Sequence, residues 1–94
     1  MTTATPARTA SGKEQALVDF IDQLDRDGMT ITDLAAAARV GRSHLEQVLN
    51  GRRHGRHTWK HVIPLLSKTA LFHLKQCSAW NTHAELALRE VYHA

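Results

Sequence analysis

The stretch TITDLAAAARVGRSHLEQVLNGRR, Thr30 to Arg53, decides the fold. Thr30 is a helix-capping residue, and Asp33 three positions on sets a carboxylate near the positive end of the helix dipole. Leu34 to Ala38 is strong helix former almost free of bulk, so another helix can approach it closely. Arg39-Val40-Gly41 breaks the pattern. Arg42 to Asn50 resumes it, with Leu45, Val48 and Leu49 turned inward at helical spacing, and Asn50-Gly51 ends that helix in a turn. Such a pair needs Leu34 and Ala38 packed on Leu45 and Val48, a small Ala35 where the helices cross, and Val40 plugging the turn.

Two short helices joined by a three- or four-residue turn have the spacing of a helix-turn-helix, whose second helix lies in the DNA major groove. The charge distribution points the same way. The chain carries +3 overall. Met1 to Asp33 holds six acids (Glu14, Asp19, Asp22, Asp25, Asp27, Asp33) against three bases, net −3. Arg42 to Lys60 holds Arg42, Arg52, Arg53, Arg56 and Lys60 against Glu46 alone, net +4, with His44, His54 and His57 able to add charge beside a polyanion. A local basic block of this kind is expected on a phosphate-facing surface.

The same stretch resembles the phage Cro/repressor helix-turn-helix family, the xenobiotic-response-element type of regulators. The residues that carry the resemblance are Met29-Thr30, Leu34-Ala35, Val40, Arg42-Ser43, and Leu45 with Val48-Leu49-Asn50-Gly51-Arg52-Arg53. It covers Gly12 to about Leu66. It departs at Arg39, where the family usually has glycine in the left-handed turn position and an arginine costs on the order of 1 kcal/mol. It departs again at Gly41, which replaces a Ser/Thr cap.

Mapped on this motif, the expected base-reading residues are Arg42, Ser43, His44, Glu46 and Gln47. Arg42 suits guanine and Gln47 adenine, the pairings that major-groove geometry favours. Ser43 can reach a base or a phosphate, His44 a phosphate or the helix surface. Glu46 can accept from cytosine or repel non-target phosphate. The resemblance implies that Asn50 and the amides after it clamp the backbone. Arg52, Arg53, His54, Arg56, His57 and Lys60 read as phosphate contacts, with Thr30 beside a further phosphate.

The flanks complete an all-α domain of five to six helices. Residues 1–10 are Thr/Ala-rich without periodicity and read as a disordered tail. Ser11 and Glu14 have capping-box spacing ahead of a helix from about Gly12 to Asp27, with Leu17, Phe20, Ile21 and Leu24 inward, Val18 broadening the stripe, and Gly28 stopping it. Thr58 is expected to cap a short helix carrying Trp59, Val62 and Ile63, and Pro64 to open a new one with Leu65, Leu66, Ala70, Leu71 and Leu74 on its apolar face. Thr82 and Glu85 repeat the capping-box spacing before a last helix. Residues 11–66 thus form the DNA-binding core and 67–94 a C-terminal helical extension.

A single reading helix covers only ~4–6 bp, so a homodimer on a palindromic operator is expected. Its surface is assigned to the extension, at Leu71, Leu74, Trp80, Leu86, Leu88, Val91 and Tyr92, since these exceed what one small core needs. Cys77 alone excludes a disulfide framework and reads as a small buried residue. His54, His57 and His61 lack the further ligands a zinc site wants, and no nucleophile–base pair or phosphate-binding glycine loop stands at a telling spacing. The expectation is a cytoplasmic transcriptional repressor, not an enzyme, with no cofactor, membrane or small-molecule substrate. A helical adaptor module and an antitoxin- or excisionase-like DNA-binding factor are the alternatives.

Overall fold

The computed structural model describes residues 12–93. The tail expected over 1–10 and the cap expected at Ser11 lie outside them. Among the described residues are six α-helices, one 3-10 turn and no strand. The helices are α1 (Gly12–Arg26), α2 (Ile31–Ala38), α3 (Arg42–Leu49), α4 (Trp59–Val62), α5 (Lys68–Lys75) and α6 (Thr82–His93), with the 3-10 turn over Ile63–Leu65.

Helix α1 buries Ala16, Phe20 and Leu24, spaced by four along one narrow stripe. Val18 and Ile21, expected inward, are 49% and 41% exposed. The reason is that α1 leans chiefly on the single helix α5, which covers a stripe too narrow to reach them. Gly28 (φ 80) ends the helix as expected, its amide donating to the Asp25 carbonyl and the Met29 amide to the Leu24 carbonyl.

Thr30 and Asp33 form a reciprocal capping box: the Asp33 amide donates to Thr30 Oγ1 and the Thr30 amide to Asp33 Oδ2, both at 3.0 Å. Of the four alanines only Ala35 and Ala38 are buried, with Leu34, against α3; Ala36 and Ala37 face outward. Arg39 takes the left-handed conformation expected of it (φ 63), which lets its amide reach the Ala36 carbonyl and the Val40 amide the Ala35 carbonyl. Half-buried Val40 packs against the core from this turn.

Three expectations for the second half need correction. Thr58 starts α4 without a capping hydrogen bond, because its hydroxyl is buried and engaged elsewhere. No helix opens at Pro64. Proline sits in the 3-10 turn, the chain extends at Leu66, and Leu65 is exposed. Helix α5 starts instead behind Ser67, whose Oγ accepts from the Ala70 amide at 3.1 Å and donates to Asp27 Oδ2 at 2.8 Å, tying the end of α1 to the start of α5. Helix α6 is capped one residue earlier than expected: Asn81 Oδ1 accepts from the Ala84 amide at 3.0 Å, and Glu85 holds the Trp80 indole rather than closing a box with Thr82.

Trp59 is fully buried at the centre, and the Trp80 ring meets it edge-on with centroids 5.5 Å apart. One core runs from Ala16 to Ala87, crossing position 66. The extension supplies Ala70, Leu74, Ala84 and Ala87 to it, as α5 packs on α1 and α6 on α4 and the 3-10 turn. Leu74, assigned to a dimer surface, is therefore a core residue with no exposed area. Leu71, Trp80, Leu88 and Val91 are half-buried against the same core, whereas Leu86 and Tyr92 are more than half exposed, as is Phe72. No described helix is long and apolar enough to cross a membrane.

Candidate nucleic-acid interface

Helix α3 is anchored from behind by Leu45, Val48 and Leu49, all buried. Ser43, Glu46, Gln47 and Asn50 fall on the opposite face by helical spacing. Arg42 lies at one edge of that face, and its Nε donates to Glu46 Oε2 at 3.1 Å on the surface. Such an exposed pair is worth at most about 1 kcal/mol, so a stronger acceptor can draw Arg42 away and a stronger donor Glu46. Arg53 Nε donates to Gln47 Oε1, joining the loop after α3 to the helix.

His44 is not displayed as a base reader. Its half-buried ring turns to the other edge, where Nε2 and the hydroxyl of Thr58 share a 2.8 Å hydrogen bond. Thr58 is only 3% exposed, so this contact satisfies a buried hydroxyl and joins α3 to α4. The phosphate contact expected at Thr30 meets a different obstacle: its amide is taken by the carboxylate of Asp33.

The basic loop is held by its backbone. Gly51 (φ 79) turns the chain, and the Arg52 amide donates to the Gln47 carbonyl at 2.8 Å. The His54 carbonyl accepts two hydrogen bonds, from the Trp59 indole at 2.8 Å and from Asn81 Nδ2 at 3.1 Å. Gly55 is buried with φ 70, and a Cβ there would stand 2.7 Å from Val48 Cγ1 and 2.8 Å from Trp59 Nε1. With the backbone so fixed, Arg52, Arg53, His54, Arg56 and His57 all point outward, and Lys60 follows on α4. Little further ordering entropy then has to be lost when an anion is gripped. The glycine, the indole and Asn81 were missed in sequence. The only available signal was a glycine set among cations, in Arg52-Arg53-His54-Gly55-Arg56-His57.

Two open grooves flank this loop. One of about 420 Å³ runs past His44, Arg52, Arg53 and Arg56, and a second of about 600 Å³ runs from Arg39 and Val40 to His61. They share His44, His57 and Thr58, so the grooves run together from the α2–α3 turn to α4. Glu46, already paired with Arg42, is the acid nearest to it on α3. Further acids lie on α1, where Asp22 and Asp25 are exposed, at Asp33 on α2, and at Glu85 and Glu90 on α6, the last lining a groove with Arg56, His57 and Lys60. A field of one sign over a face attracts polyanions and accelerates their encounter.

Burial, and secondarily the charge of Asp19, pushes the Cys77 thiol up to about 11, so at neutral pH it is protonated. Among the described residues no three His, Cys, Asp or Glu side chains converge as metal ligands. Comparison with protein-family models, with curated proteins and with solved structures finds no match to this chain.

Proposed function

We propose that this protein is a sequence-specific double-stranded-DNA-binding transcriptional regulator, most simply a repressor, in which α3 enters the major groove and the loop behind it holds the phosphate backbone. One observation carries the reading: a short helix, anchored by three buried aliphatic residues, presents a polar face beside a cationic loop whose backbone is already fixed. The face holds Ser43, Glu46, Gln47 and, at its edge, Arg42, residue types suited to base edges. The loop holds Arg52, Arg53, Arg56 and His57, suited to phosphates, which position a protein without specifying sequence. The resemblance of Thr30 to Arg53 to the Cro/repressor family agrees with this assignment. It is also consistent with Arg39 adopting the left-handed turn conformation in which that family uses glycine.

The ion pair and hydrogen bond on the free reader face fit the same role. Arg42 and Gln47 give up Glu46 and Arg53 for base edges, and Arg53 turns to phosphate. A homodimer is part of the proposal, because a helix this short reads too few base pairs to be selective alone. Phe72, Leu86 and Tyr92, the most exposed of the large apolar side chains among the described residues, are available to it.

Selection of bound duplexes from a random pool, with the full chain, tests the whole reading. An enriched palindrome with half-sites about one helical turn apart supports it. Recovery of no enriched sequence refutes it and favours a helical adaptor.

A further inference from the structure

We infer that the groove between the basic loop and α6 is a second phosphodiester site, gripping duplex backbone beyond the stretch read by α3, and that His83 completes it. The inference rests on the DNA-binding reading above. The groove has a volume of about 240 Å³, with Arg56, His57 and Lys60 along one wall and half-buried His83 on the other. It continues the interface, since Arg56 and His57 also line the groove beside α3. The imidazole of His54 meets that of His83 edge-on, with centroids 5.8 Å apart and planes at 61°. His54 is held there by its own carbonyl, which takes the hydrogen bond from Asn81, two residues before His83.

Two imidazoles in contact, beside an arginine and a lysine, have one kind of complementary ligand. An oxyanion seated in the groove beside them can accept from imidazole N–H groups and from the arginine and lysine together. The carboxylates nearby do not fill that role. Glu85 Oε2 is engaged by the Trp80 indole at 2.6 Å. Glu90 lines the opposite end of the groove, two helical turns or ~10 Å along α6 from His83. The anion therefore belongs at the His83 end. A duplex carries one negative charge for every ~1.7 Å of its axis, so a backbone held at Arg52 and Arg53 has further phosphates within reach of this groove.

Because imidazoles change charge between about pH 5 and 8, a phosphate seated here draws in protons, and the duplex binds more tightly as pH falls through that range. The charged or titratable groups facing His83 are His54, Arg56 and His57 from the loop, Lys60 from α4, and Glu90 from α6 itself. Every one but Glu90 is a base, so an anion seated there meets complementary groups.

The test compares the wild type with His83→Gln and Lys60→Gln, on a selected duplex trimmed to the sequence it reads and on the same duplex lengthened at both ends. The wild type is expected to prefer the longer duplex by about three- to tenfold near pH 6 and much less near pH 8. His83→Gln should lose the preference gained at low pH. Lys60→Gln, a change on an exposed side chain, should lower the preference at both pH values. Calorimetry in two buffers of different ionisation enthalpy should show His83→Gln taking up fewer protons on binding. Inorganic phosphate at millimolar concentration should not compete. If it abolishes the advantage of the longer duplex while leaving the trimmed one bound as before, the site takes free phosphate and the inference fails. Folded variants that match the wild type on both duplexes also overturn it while leaving the regulator reading intact. A wild type that selects no duplex overturns both.

Discussion

Replacing Gly55 with alanine should cost far more than replacing Gly28, although both have positive φ (70 and 80). The left-handed conformation itself costs an L-residue on the order of 1–2 kcal/mol, and this part is common to the two sites. At Gly28 a new Cβ meets nothing within 4 Å. At Gly55 it would stand 2.7 Å from Val48 Cγ1 and 2.8 Å from Trp59 Nε1, both on fully buried side chains that cannot swing away. Overpacking of this kind costs about 1–3 kcal/mol. Pushing the indole aside also loses its hydrogen bond to the His54 carbonyl, about 1 kcal/mol more. The extra cost over Gly28→Ala is therefore about 2–4 kcal/mol, a large part of the ~5–15 kcal/mol that holds a domain together. Thermal melts followed by circular dichroism should place Gly55→Ala about 10–20 °C below Gly28→Ala. Equal midpoints would refute the packing account of the loop, and with it the claim that its cations are displayed on a fixed backbone.

Arg42→Ala should weaken the selected duplex by about 1–3 kcal/mol and relax preference at one base pair. Arg53→Ala should weaken all duplexes alike and lower the salt slope by roughly one; competitive binding across a salt series separates the two. His44→Ala strands the buried Thr58 hydroxyl and should cost about 1–3 kcal/mol in urea unfolding, whereas Ser43→Ala should stay within about 0.5 kcal/mol. Leu74→Ala should destabilise by about 2–5 kcal/mol without changing the sedimentation of the folded protein, while Leu86→Ser with Tyr92→Ser should shift it toward monomer with little loss of stability. The Cys77 thiol, pushed up to about 11 from its ordinary value near 9.0, should react slowly with disulfide reagents at neutral pH until the protein is unfolded. The fold favours its neutral form, so that contribution is present below about pH 9 and is lost as pH rises toward 11. Cys77→Ala should flatten this part of the decline in a stability profile.

The sequence by itself determined the elements whose causes lie within a few residues of one another. The Thr30–Asp33 cap, the left-handed turns at Gly28 and Arg39, and the inward Leu45, Val48 and Leu49 all depend on spacings inside one helix or across one turn. Such spacings are visible because hydrogen bonds between positions three to five apart are a local matter. Which faces are covered, and what holds the loop, was decided by elements far along the chain. Ile21 is exposed because α5 covers only the stripe through Phe20, and Leu74 is buried because α5 lies against α1. His44 turned from reader to tether because Thr58, fourteen positions on, brought a buried hydroxyl to it. The His54 carbonyl is satisfied from Asn81, 27 positions away. A residue's type and local period tell what it can bury or bond; only the folded chain brings the partner to it, and so only tertiary packing decided which of the basic segment's polar groups face outward.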